Sequence, residues 1–143
     1  MNTNTLRFGL AIFLIVHGLV HYSLTYVPIP KPGELRTPFW PSWSRTDTDP
    51  AWLASRMGLS NNVIRWVGSA LWLLTVTGFG LGGLGLLGIP GLNQIWQGGA
   101  ILGAAASLIL LGFYWHPWLI AGVLINLAVF AGLALHWPKS LFS

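Results

Sequence analysis

Residues 6–22 read LRFGLAIFLIVHGLVHY. One cation, Arg7, precedes an apolar run into which only two polar rings are set, His17 and His21. A helix needs about 20 apolar residues to cross a bilayer, and this segment supplies them before Pro28, Pro30 and Pro32 end any helix. The reading therefore starts as a transmembrane helix over about residues 6–27, with its histidines toward the second half.

The rest of the chain repeats that pattern. Of 143 residues, 54% are hydrophobic and only 7% charged, where soluble domains carry about 25% charge. A second apolar segment follows Ser60, a good helix N-cap, and runs over about 63–87 until the GIPG stretch stops it. A third is expected over about 94–114 and a fourth over about 118–137, separated by the short WHP turn. The predicted fold is all-α: a single integral membrane four-helix bundle, with a long Trp/Pro-rich loop over about 28–61 between helices one and two.

That loop holds most of the charged residues. Within it TPFWPSWSRTDTDPAW, residues 37–52, interleaves Trp40, Trp43 and Trp52 with Pro38, Pro41 and Pro50. Tryptophan beside proline favours a stiff segment at the head-group level, where the indole N–H stays wet. The following DPAWLASRMG reads as a short interfacial helix, with Asp49 as its cap and Gly58 as its end. These tryptophans are candidate interface residues. The cation bias of the loop places it in the cytoplasm by the positive-inside rule.

Seven Lys and Arg against three acidic residues give a net charge of +4, but no cationic tract of the kind that grips nucleic acid. There is no cysteine, which excludes disulfides and thiolate metal sites. In the second segment Gly78 and Gly82 form a small-xxx-small pair, and Gly99 and Gly103 form another in the third. Such pairs let helix backbones approach closely, so these four glycines are candidate packing or subunit-interface positions.

At 3.6 residues per turn His17, His21 and Thr25 stack on one helix face, with Gly18 and Tyr22 beside them. An ionisable residue inside a membrane is a functional-site hypothesis by default. Thr75, Thr77, Ser107 and Asn126 could turn inward as a polar core around His17. His116 falls in the turn between helices three and four, on the side toward which the histidine stripe opens. His136 falls at the opposite end, next to Trp137, as an interfacial residue.

Four readings of the pair follow. A metal would need a third ligand, and no carboxylate or cysteine lies in any predicted membrane helix, so no metal site is assigned. A haem or chlorin needs one axial imidazole, with Gly18 leaving room for the ring; a second axial ligand would have to be His116 or another chain. A quinone would need only hydrogen bonds from His21, Tyr22 or Asn126. Lastly, each histidine could donate to a backbone carbonyl, a threonine or Asn126 and simply join helices. The candidate cofactor residues are His17, His21, Tyr22, His116 and Asn126, and no cofactor is required.

The opening helix, with Arg7, an apolar run and then His17–Gly18, resembles that of DoxX-like proteins, small bacterial four-helix membrane proteins. It is also similar to uncharacterised bacterial membrane proteins in which a second histidine follows, as His21 does here. The resemblance implies an accessory subunit of the bacterial cytoplasmic membrane, sometimes associated with quinone-linked oxidoreductases, and no catalytic residue. The expected role is a non-catalytic membrane subunit or scaffold. Its expected partners are lipid and either other membrane subunits or further copies of itself; a haem-, chlorin- or quinone-binding role through His17 or His21 is the alternative.

Overall fold

The computed structural model describes residues 2–21, 56–115 and 119–142, without the side chains of Asn61, Ile64 and Arg65. Four α-helices occur among them, followed by a short 3-10 turn, and no strand. Helix α1 spans Thr3–Val20, α2 Asn61–Leu86, α3 Trp96–Phe113 and α4 Ile120–Ala134, and the 3-10 turn spans Lys139–Leu141. The all-helical membrane bundle read from the sequence is the observed architecture. Helices α1, α2 and α3 each carry an apolar stretch long enough to cross a membrane, whereas α4 is apolar but has 15 residues. At 1.5 Å per residue α4 is about 22 Å long, short of a hydrocarbon core of about 30 Å.

The helix starts and stops follow local chemistry. Asn2 caps α1 by accepting from the Asn4 N–H at 3.1 Å, and Ser60 caps α2 by accepting from Val63 at 3.4 Å. Gly88 and Gly91, both at positive φ, turn the chain between α2 and α3.

Helix α4 ends three residues before the expected Trp137, at a Schellman cap. His136 sits at φ 48°, its N–H bonds to Leu133 at 3.2 Å, and the Trp137 N–H reaches back to Gly132 at 2.9 Å. His136 is thus more than an interfacial residue: it occupies the cap position where glycine is usual, and its ring meets that of Phe142 at 5.0 Å. The reversal folds the 3-10 turn back onto α1.

Packing is centred on α2. A Cβ built on Gly78 would strike the backbone of Gly103, and one on Gly99 would come within 2.7 Å of Gly82 N. The two small-xxx-small pairs therefore face each other, and α2 and α3 run antiparallel with backbones touching. On the other side of α2, Gly83 faces Ala11 and Ile15, while Gly18 of α1 faces Val76 and Phe79. Phe79, flanked by glycines and fully buried, fills the space between α1, α2 and α3.

Candidate functional site

The histidine pair lies at the C-terminal end of α1, and both rings are buried, at 8% exposure for His17 and 3% for His21. Burial of this degree requires each polar atom to find a partner. The partners come from Ser107 on α3 and Asn126 on α4, both with no exposed surface. They close a circuit whose direction can be deduced bond by bond.

The His17 carbonyl can only accept, so the His21 Nδ1 that lies 2.8 Å from it carries the hydrogen. The neutral imidazole then has a bare Nε2, which accepts from the Ser107 hydroxyl at 2.6 Å. Ser107 Oγ in turn accepts from the Asn126 amide nitrogen at 2.6 Å. The remaining Asn126 oxygen accepts from His17 Nε2 at 3.2 Å. With both imidazoles neutral, that one carbonyl fixes both tautomers and the amide orientation, and each of the four bonds has one donor and one acceptor.

Aromatic rings complete the enclosure. The His17 ring stacks on Phe13 at 5.9 Å, meets His21 edge-on at 4.9 Å and meets Phe79 at 5.2 Å. Phe79 also occupies the space beside Gly18, where an added Cβ would lie 3.2 Å from the Phe79 Cβ. That glycine admits a helix and not a macrocycle. A haem or chlorin therefore does not fit the described residues: the space beside Gly18 is filled by protein, and both Nε2 atoms are engaged. Among the described residues no group of three or more His, Cys, Asp or Glu could hold a metal ion.

Of the other predicted polar groups, Thr75 is fully buried but donates to Leu71 O of its own helix at 2.8 Å, and Thr77 is exposed. The polar core is therefore His17, His21, Ser107 and Asn126, without the threonines of α2. Tyr22, Thr25, His116 and the tryptophans Trp40, Trp43 and Trp52 lie outside the described residues.

Ser107, expected in the polar core but not among the cofactor-binding residues, is a full member of the circuit. Its signal is positional: it stands one helical turn beyond Gly103, on the same face that meets α2. Phe79 carries a similar signal, as the one bulky residue between Gly78 and Gly80.

Beside the cluster, α1 and α4 separate around an apolar groove of about 250 Å³. Leu10, Phe13 and Leu14 form one wall, Val129 and Leu133 the other, and Ala100 of α3 is among the residues between them. Phe13 belongs both to this groove and to the stack on His17. No family model, curated protein or solved structure matches this chain.

Proposed function

We propose that this chain is a non-catalytic membrane subunit or scaffold in which the histidine pair is a structural fastening. The observation that carries this reading is the closed circuit: the N–H groups of both rings, the Ser107 hydroxyl and the donated Asn126 N–H all have partners inside the protein. A quinone carbonyl bound at this cluster would have to displace one of those bonds. The resemblance of the first helix to DoxX-like proteins supports the same role, as an accessory component of a bacterial cytoplasmic membrane complex. The end of α1 that bears His21 faces the cytoplasm in this reading, on the cation bias of the segment that follows it.

The test is isolation of the native protein in a mild detergent, with mass measurement of the intact particle. A particle containing a second polypeptide or several copies of this chain is the expected result. A lone monomer that stays monodisperse at every detergent concentration, even after cross-linking in the intact membrane, would overturn the scaffold reading.

A further inference from the structure

The opposite end of the bundle has the reverse chemistry. Arg7, one turn inside α1, borders a cavity of about 270 Å³ together with Asn93, from the turn before α3, and Gln97, in the first turn of α3. The Arg7 Nε is buried and no hydrogen bond satisfies it. A guanidinium has donors and no acceptor, so its N–H groups call for an acceptor, best of all an anion. No Asp or Glu side chain lies among the described residues, since Glu34, Asp47 and Asp49 all fall outside them. Asn93 and Gln97 bring further amide donors to the same cavity.

This polar cavity adjoins the apolar groove between α1 and α4. Leu86, Trp96, Leu141 and Phe142 line both spaces. Trp96 and Phe142 stand against each other at 5.4 Å along the shared wall. A cationic, donor-rich chamber at one end of a bundle, opening beside an apolar trough along its side, matches an amphiphile with an anionic head and a hydrocarbon chain. A free inorganic anion would use the first space and leave the second without purpose; a partner's transmembrane helix would use the second and leave Arg7 unanswered.

We propose that this end of the protein binds one anionic phospholipid, its phosphate on Arg7, Asn93 and Gln97 and an acyl chain in the groove between α1 and α4. The proposal is independent of the scaffold reading, since a fastening at the histidines neither requires nor forbids a bound lipid.

The experiment is native mass spectrometry of the full chain released from bilayers of equal phosphatidylglycerol and phosphatidylcholine. Retained phosphatidylglycerol should exceed phosphatidylcholine by about tenfold, as charge-assisted hydrogen bonds to one phosphate warrant. Arg7→Gln should abolish that preference while the melting temperature of the lipid-free protein stays near that of the parent. If that variant does not fold, Asn93→Leu combined with Gln97→Leu supplies the same readout. Leu133→Trp, which fills the groove, should lower retention of both lipids, and added inorganic phosphate should not displace them. Equal retention of the two lipids, an undiminished preference in the head-group variants, displacement by inorganic phosphate, or retention unaffected by Leu133→Trp would each overturn the proposal.

Discussion

Between α2 and α3, glycine backbone lies on glycine backbone, with Gly78 against Gly103 and Gly82 against Gly99 and Ala100. Between α1 and α4 there is a groove, and among the described residues a side-chain bond from His17 to Asn126 links the two helices. Both pairs answer the same problem. In lipid the hydrophobic effect no longer drives helices together, so association has to come from close van der Waals packing or from interhelical hydrogen bonds. The first pair uses packing and leaves no gap; the second uses a polar clasp and leaves a space along its length. A tight seam tolerates no added atom, whereas a clasped pair tolerates change everywhere but at the clasp.

The seam should break most sharply. Gly78→Ala places a methyl group against the Gly103 backbone, which cannot swing aside as a flexible side chain would, and the cost should reach about 3 kcal/mol, at the upper end for overpacked sites. Gly80→Ala on the same helix meets no atom within 4 Å and should leave stability unchanged or slightly raised. Unfolding midpoints of the two variants in mixed micelles check the contrast; equal losses would mean that the glycines do not form the seam.

The clasp should yield less. Asn126→Leu removes the bridge between His17 and Ser107 and leaves two buried groups short of partners, a loss of about 2 kcal/mol. A double-mutant cycle pairing Asn126→Leu with His17→Ala should return a coupling of about 1 kcal/mol, the scale of interhelical polar pairs in membranes. Purely additive losses would show that the two residues do not communicate. The smallest effect lies outside both regions, at the end of α4. His136→Gly relieves a left-handed backbone conformation and should stabilise by about 1 kcal/mol, less whatever the stack on Phe142 contributes. Thermal midpoints of the parent and this variant decide it.

The sequence made much of this visible. Apolar runs ended by proline or glycine marked the helices, because the bilayer imposes a length and the backbone must satisfy itself within it. The small-xxx-small pairs marked close-packing faces on α2 and α3 without saying whether they meet each other or another subunit, and Ser60 marked the start of α2. His17 and His21 were readable as a stacked polar pair, with Asn126 among their candidate partners, since i and i+4 share a face whatever surrounds them. The register of α3 against α1, which sets Ser107 beside His21 with Phe79 packed between Gly18 and Gly103, was not readable. The early end of α4 was hidden for another reason, because His136 takes the left-handed cap conformation that glycine usually marks. Arg7 was legible as a lone cation, but not as the wall of a cavity, since Asn93 and Gln97 reach it only through the turn at Gly88 and Gly91.

The circuit begins and ends on one residue, and its final acceptor is a peptide carbonyl. Proton hopping along a hydrogen-bonded chain requires every member to exchange donor for acceptor as the charge passes. The His17 carbonyl has no hydrogen to give, so His21 cannot reverse, and Ser107 and Asn126 are held in turn. Four polar side chains thus stand inside a helical membrane bundle without forming a chain that can pass a proton from one member to the next.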